Sequence, residues 1–222
     1  MDIWKFMDML STSTLHCTRV DCLNDPQEGS WEQFGVYDTY ESMGPEQIKL
    51  LKYWNKVYRT TSAVNCWHVN DSESQQMWNE YVCQCGGVAI TSTFNDLQEV
   101  VKKADTSGRI ATIGMMKYKQ FQQNPTNGFG TFLDHFIYKH KDFKHENELR
   151  VLILAMGTQL QEQGKAIPIE GLKLKINLND LISNVYVYTG SQSWKLDLIS
   201  KVVSDYNLDV DVEPSQFNVS GN

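Results

Sequence analysis

The chain has 222 residues, of which 41% are hydrophobic, and this composition allows one sizeable core. Its net charge of −7 argues against a protein that holds nucleic acid mainly by neutralising phosphates. No apolar run approaches the roughly 20 residues that span a bilayer, and the first residues lack the pattern of a secretory signal, so we expect a cytoplasmic protein with no membrane partner.

Turn residues, helix caps and short apolar runs predict alternating helices and strands in the first half of the chain. Residues 2–10 indicate either a short strand or the start of a helix, and the Asn24-Asp-Pro26 tripeptide is typical of a turn. The other predicted elements are a strand at 15–20, a helix at 44–59, a strand at 63–69, and a helix at 72–81 with its cap within Asn70-Asp-Ser-Glu73.

The second half continues in the same way. Residues 149–155 form the clearest buried strand, because the run is short, β-branched and bounded by polar residues. Residues 120–130 are rich in Gln, Asn and Gly, which predicts a mobile loop. A helix is expected to be capped by Asn95 or Asp96. The remaining predicted elements are strands at 86–90, 108–118, 173–178 and 185–188 and a helix at 194–203.

These elements predict an α+β fold with a central twisted mixed sheet and flanking helices. The strand at 149–155 is expected inside the sheet, and the helix at 72–81 is expected to pack across it. No linker divides the chain, so residues 1–214 are predicted to form one domain. The polar residues 215–222 are predicted to form a flexible tail.

The cysteines indicate neither a disulfide framework nor a metal site. Their number is odd and they lack paired spacing, so we expect reduced thiols and no metal. The five residues are Cys17, Cys22, Cys66, Cys83 and Cys85.

Basic residues are concentrated in the middle of the chain. Residues 101–150 carry nine basic and five acidic side chains, although the whole chain is acidic. The segment Tyr138-Lys-His-Lys-Asp-Phe-Lys-His145 holds much of this charge. It is either a solvated loop or helix end, or a place where an anionic substrate docks.

The motif Glu146-Asn-Glu148-Leu-Arg150 is the best candidate for a functional site. If the strand begins near Glu146, side chains that alternate with a period of two place Glu146, Glu148 and Arg150 on one face. Three charged groups are costly to bury without partners or a ligand. The alternative is an ion-paired trio that closes the edge of a sheet.

Two earlier motifs offer further candidate ligand-binding residues. Lys5 and Arg19 could hold a phosphate or hydroxyl group, or they could pair with carboxylates. The segment around Ser74 predicts a strand that leads into a capped helix, and such a helix N-terminus favours anions. Trp78 and Tyr81 on that helix have the spacing either of core residues or of a stacking platform.

His68 precedes the turn before that helix. A histidine at this position is either a structural residue with satisfied hydrogen bonds or a catalytic base.

In this order, the motifs resemble those of a family of bacterial and phage proteins that is known only as a domain of unknown function. The matching motifs span nearly the whole chain. They are Trp4-Lys-Phe-Met7, Leu15 to Gly29, Glu73-Ser-Gln-Gln-Met-Trp-Asn-Glu-Tyr81, Gly87-Val-Ala-Ile90, Lys139 with Phe143, Glu146-Asn-Glu-Leu-Arg150, and the closing Lys175-Ile-Asn-Leu-Asn-Asp-Leu-Ile182 and Ser193-Trp194.

More distantly, the layout is similar to that of ADP-ribosyltransferases. This resemblance implies an ADP-ribosyltransferase-like fold, NAD as substrate, no metal, and Glu148 as the catalytic carboxylate with Glu146 assisting. It also implies that Lys5 takes the place of an arginine, and this substitution keeps the charge but loses the bidentate fork. His68 is the candidate base.

The resemblance implies an NAD-dependent ADP-ribosyltransferase that modifies a protein or nucleic acid, such as a toxin or an effector of antiviral defence. The expected nucleotide-binding residues are Lys5, Arg19, Ser74, Trp78, Tyr81 and Arg150. The alternatives are a non-catalytic nucleotide-binding sensor or sponge and an NAD glycohydrolase.

Overall fold

The structure is a computed structural model that describes residues 1–30, 43–82, 86–120, 134–155, 166–190 and 192–217. Cys83 and Cys85, nearly all of the predicted loop at 120–130, and the end of the predicted tail lie outside these residues.

Each helix predicted from the sequence is found within a few residues of its predicted position, and the structure describes further short helices that were not predicted. The described helices are α1 (Ile3–Thr12), α2 (Pro45–Thr61), α3 (Gln75–Tyr81), α4 (Phe94–Lys103), α5 (Asp134–Ile137), α6 (Leu178–Leu181) and α7 (Trp194–Asp205), together with 3₁₀ segments at Val20–Cys22 and Lys141–Glu146.

The described strands include every predicted strand, and the predicted strand at 108–118 is divided into two. They are β1 (Thr14–Arg19), β2 (Ala63–His68), β3 (Gly87–Thr91), β4 (Ile110–Met115), β5 (Lys117–Lys119), β6 (Tyr138–His140), β7 (Glu148–Leu154), β8 (Leu172–Lys175), β9 (Asn184–Tyr188) and β10 (Asp211–Pro214).

The chain divides into two compact units, each assembled from separate segments. The first comprises residues 1–15, 70–105 and 174–222, and the second comprises residues 16–69 and 106–173. The expectation of one domain over residues 1–214 stays a prediction.

The first unit contains a three-stranded sheet in the order β10-β9-β3. β9 pairs in parallel with β10 and antiparallel with β3, so this smaller sheet is mixed. Val88, Val185 and Val187 supply its most deeply buried side chains.

Side-chain caps determine where three helices of this unit begin. Asp2 caps α1 by accepting a hydrogen bond from the backbone N–H of Lys5 at 2.9 Å, so the ambiguous segment 2–10 is helical. The predicted caps of the next two helices are wrong. Ser74 caps α3, and Thr93 caps α4 by accepting from the N–H of Asp96. Asp96 lies inside the first turn of α4, where its carboxylate accepts from the Thr93 hydroxyl.

The second unit is built on a five-stranded sheet in the order β4-β7-β2-β1-β8. The pairs β1–β2, β2–β7 and β4–β7 are antiparallel, so the mixed sheet predicted for the centre of the fold is wrong for these pairs. The strand predicted at 149–155 is confirmed as an interior strand, since β7 lies between β4 and β2. The packing of the helix predicted at 72–81 across this sheet stays a prediction, because α3 belongs to the first unit.

At its C-terminal end, one face of β7 packs into an apolar core. Leu152 and Leu154 pack there with Val20, Val64 and Phe136, and all five are at most 2% exposed. Full burial of such side chains contributes about 1.5–3 kcal/mol each. Within the described residues, no helix is long and apolar enough to cross a membrane.

Candidate functional site

The charged residues of β7 lie on the same face as this apolar core. Glu148 and Arg150 alternate in phase with Leu152 and Leu154, and every residue of the strand is buried. This face of β7 therefore carries a carboxylate and a guanidinium at its N-terminal end and leucine side chains at its C-terminal end.

The prediction that Glu146 shares the strand is wrong, because β7 begins at Glu148. Asn147 adopts the left-handed conformation at φ 38° and separates the strand from the preceding 3₁₀ segment. Its side-chain amide donates to the carbonyl of Val69, and the N–H of Val69 donates to the carbonyl of Asn147 at 3.0 Å. Glu146 therefore approaches its neighbours from the end of the 3₁₀ segment.

Lys139 joins three carboxylates. Its Nζ lies 2.6 Å from Oε2 of Glu146, 3.5 Å from Oε2 of Glu148 and 3.6 Å from Oε2 of Glu28. Lys139 reaches them from β6, and Glu28 does so from the turn that the Asn24-Asp-Pro26 tripeptide predicted.

Arg150 makes a second set of contacts. Its Nε donates to Oε1 of Glu148 at 2.7 Å, one terminal nitrogen donates to the carbonyl of Phe136 at 3.2 Å, and the other pairs with the carboxylate of Glu28. Glu28, Lys139, Glu146, Glu148 and Arg150 together form what we call the charged cluster.

The charged cluster is buried and carries a formal charge of −1, from three carboxylates and two cations. Each member is at most 8% exposed. Removing so many charges from water is costly, and only their mutual pairing makes the arrangement possible.

The pKa values of the two carboxylates of the sequence motif are shifted in opposite directions. Burial acts to raise the pKa of both groups. At Glu148, Arg150 and Lys139 outweigh burial and hold the pKa below its ordinary value, so this carboxylate is firmly anionic. At Glu146, burial and the nearby carboxylates outweigh Lys139 and raise the pKa.

The cations remain charged for the same reason. Burial acts to lower the pKa of Lys139, but the carboxylates of Glu28, Glu148 and Glu146 outweigh it, and the pKa of Lys139 is raised well above its ordinary value. The cluster therefore keeps its positive charges at neutral pH.

His68 lies directly across the strand pair from Glu148 and shares its face of the sheet. Its Nδ1 lies 2.6 Å from the carbonyl oxygen of Glu146, so Nδ1 carries the proton in this contact. The Nε2 atom is buried and has no hydrogen-bond partner among the described residues. In the neutral ring, Nε2 presents an unused acceptor beside Glu148.

Small residues flank Arg150 in the adjacent strands. Arg150 pairs with Gly114 of β4 on one side and Cys66 of β2 on the other. A Cβ atom added at Gly114 would meet nothing within 4 Å, so open space lies over this glycine of β4.

Cys66 is exposed, although its thiol hydrogen-bonds to the Glu148 carboxylate. Burial by the surrounding protein raises the pKa of the Cys66 thiol, which therefore stays protonated. Cys66 is therefore a solvent-accessible residue in contact with the cluster.

Sequence reasoning missed Glu28, Lys139 and Tyr118 as site residues. The hydroxyl of Tyr118 accepts the backbone N–H of Glu148 at 2.8 Å. Glu28 and Lys139 both belong to the motifs that carry the family resemblance, and that membership is the signal that could have identified them.

Arg19 lies in the second unit outside the cluster. It pairs with Asp21 at 2.6 Å and donates to the carbonyl of Ile167 at 2.8 Å. Lys5 belongs to the first unit, where it is exposed and lies 3.5 Å from Asp2.

The other expected nucleotide-binding residues also belong to the first unit. Ser74 caps α3, while Trp78 is buried and donates its indole N–H to Glu73 at 2.9 Å. Tyr81 is 51% exposed at the end of the same helix. A pocket shared by these residues and Glu148 stays a prediction.

Comparison with protein-family models, with curated proteins and with solved structures finds no match for the chain. The family resemblance therefore rests on the motifs alone.

Proposed function

We propose that this chain is an NAD-dependent ADP-ribosyltransferase that modifies a protein or nucleic acid, with Glu148 as its catalytic carboxylate. The observation that carries the proposal is the anionic Glu148 directly across the strand pair from His68, whose Nε2 has no partner among the described residues. Its layout, which resembles that of ADP-ribosyltransferases and notably of the DNA-targeting toxins among them, supports the same reaction class.

The chemistry requires a fixed negative charge. When the bond between the ribose C1′ and nicotinamide breaks, its electron pair leaves with nicotinamide and positive charge develops on the ribose. A carboxylate already oriented by Arg150 and Lys139 stabilises that charge without reorganising. Glu146 assists by holding Lys139 in place.

The second half of the reaction requires a proton acceptor. The nucleophile of the acceptor forms a new bond to C1′ and loses its proton, and Nε2 of His68 has a free lone pair to receive it. Because Glu148 is only 3% exposed, NAD would approach it past Gly114, which has open space over it, and the exposed Cys66.

The test is incubation of the purified chain with NAD labelled in its adenosine moiety and a cell extract. We expect labelled macromolecule and released nicotinamide. His68→Gln should lower the rate by about 10²–10⁴-fold, the usual contribution of a general base. Glu148→Gln should abolish transfer.

The matched control is Glu46→Gln, which removes one carboxylate from the exposed surface of α2 in the same unit. It should keep full activity. Because Glu148 is buried, each variant also needs a thermal melt. Neither nicotinamide release nor labelled product from the folded wild-type chain would contradict the proposal, and release of free ADP-ribose alone would indicate an NAD glycohydrolase.

A second candidate, a nucleotide-binding sensor without turnover, is favoured by one observation. Both carboxylate oxygens of Glu148 already face cations, Oε1 at Arg150 and Oε2 at Lys139. Calorimetry with NAD separates the two. Binding without nicotinamide release, unchanged in the His68→Gln variant, would favour the sensor.

A further inference from the structure

The outer edge of the three-stranded sheet in the first unit has backbone hydrogen-bonding groups that no described residue binds. β10 pairs with β9 on one side and with no described strand on the other. The N–H of Ser215 donates to the carbonyl of Val187 at 2.9 Å. Because backbone groups alternate along a strand, Asp211 and Glu213 bond to β9, and Val212 directs its N–H and C=O away from it.

A cavity that we call the groove lies at the start of β10, where it is lined by Asp211 and Val212. α7 packs against β9 and β10, and α7 and β10 border this cavity of about 470 Å³. Ser200 and Ser204 contribute hydroxyl groups to its lining, and Val212 contributes an apolar side chain. Val185, the neighbour of Val212 in β9, is fully buried, whereas Val212 is half-buried. The row of apolar side chains on this face of the sheet therefore ends at Val212, which is only partly covered.

The edge is negatively charged. Residues 206–217 include three carboxylates and no basic residue. Asp209 and Asp211 border the cavity, and neither forms an ion pair with a described cation. Glu213 accepts a hydrogen bond from the side-chain amide of Asn184 at 3.2 Å.

These features select the kind of occupant. A second copy of the chain, with its net charge of −7, is repelled by the acidic edge. Pro214 has no N–H to offer and limits the length of the pairing, a device that protects strand edges from unspecific association. A short, positively charged strand is not repelled by the acidic edge, and it fits the limited length over which β10 can pair.

We propose that this edge docks an extended segment of a partner protein that carries lysine or arginine at alternate positions. The segment adds as a fourth strand beside β10, and its backbone pairs with the N–H and C=O of Val212. Its cations face Asp209 and Asp211, and its apolar side chains enter the groove beside Val212.

The test uses the full chain and a fluorescent peptide, Lys-Val-Lys-Val-Lys, with binding followed by anisotropy. A second peptide of the same sequence carries N-methyl groups on its two valine amides, and a third carries them on the amides of its second and third lysines. N-methylation removes donors for strand pairing and keeps every charge. We expect the unmodified peptide to bind at least about tenfold more tightly than one of the methylated peptides, because a strand exposes alternate amides to its neighbour.

Variants of the protein test the same contacts from the other side. Val212→Pro removes the outward N–H and should weaken binding by about tenfold without changing charge. Asp211→Asn should weaken binding and reduce its salt dependence. The matched control is Asp205→Asn, which removes a carboxylate that pairs with Lys201 on exposed α7 and should leave binding nearly unchanged.

Each outcome is decisive. Equal binding of all three peptides would overturn strand pairing, since charge alone would then account for affinity. Absence of binding by the unmodified peptide would overturn the docking site. If Val212→Pro does not fold, the comparison of the peptides with the wild-type chain still decides.

Discussion

Replacing Arg150 by Met should destabilise the second unit more than other single changes in the charged cluster. The guanidinium side chain is 3% exposed, so solvent screening does not reduce the effect. Its removal leaves Glu28 and Glu148 with Lys139 as their remaining cation, at 3.6 and 3.5 Å. Breaking a buried ion pair by removing one partner costs about 3–5 kcal/mol, a large part of the roughly 5–15 kcal/mol that stabilises a typical domain.

The measurement is urea unfolding followed by tryptophan fluorescence, with Trp54 and Trp67 as reporters in the second unit. The matched control is Lys49→Met, which also removes one cation from that unit. Lys49 is 80% exposed and its Nζ lies 3.9 Å from Glu46, so its loss should change the free energy of unfolding by less than about 0.5 kcal/mol.

A double variant identifies the cause of the loss. Adding Glu28→Gln to Arg150→Met removes one stranded charge, so the two changes should be non-additive by about 1–3 kcal/mol. A loss below about 1 kcal/mol in Arg150→Met, or strict additivity in the double variant, would refute the view that the cluster depends on mutual charge compensation.

Three further predictions follow from the same geometry. The pKa of Glu148 is lowered, so this group stabilises the fold above about pH 4.5, and the stabilisation is lost as the pH falls. The pKa of Glu146 is raised, so its ionised form destabilises the fold, and this destabilisation is relieved as the pH falls. The free energy of unfolding is measured from neutral to acid pH. Relative to the wild type, Glu148→Gln should become more stable as the pH falls and Glu146→Gln should become less stable. Parallel curves would contradict this. Gly114→Leu should fill the open space over this glycine and lower NAD affinity in calorimetry at least about tenfold, with little change in melting temperature; unchanged affinity would place the entry elsewhere. Thr93→Ala should cost about 1 kcal/mol in thermal unfolding, and an equal loss in Asn95→Ala would restore the cap predicted from sequence.

Local patterns were sufficient to predict most of the fold. The apolar run at 149–155 identified an interior strand, because a strand that is buried on both faces is apolar at successive positions and does not alternate with polar residues. Pro45 marked the start of α2, since its missing N–H suits the first turn. The caps at Ser74 and Thr93 were misplaced by one to three residues, because several neighbouring Ser, Thr, Asn and Asp residues are equally good caps.

The site was only partly predictable because its contacts are long-range. Glu28 and Arg150 are 122 residues apart, and no spacing rule connects them. The left-handed Asn147 interrupts the alternation that would have placed Glu146 on the strand, and asparagine is one of several residues that can adopt this conformation. The motif therefore identified residues that do meet in one charged cluster, through a geometry that is wrong for Glu146.

The position of the charged cluster is itself an argument for function. Leu152 and Leu154 show that this face of β7 can be covered by apolar side chains, and an apolar continuation would form the same strand at a lower desolvation cost. Instead, the next two positions on the face hold Arg150 and Glu148, in a cluster whose charge is −1. That surplus negative charge lies in a poorly solvated place, where a positive charge has its strongest effect. The Nε2 atom of His68 lies beside it with its lone pair unused. A ribose that becomes cationic during the reaction would neutralise the surplus charge, and a nucleophile that loses its proton would satisfy the histidine. The proposed transferase would need these features for transition-state binding, and stability alone gives no reason for them.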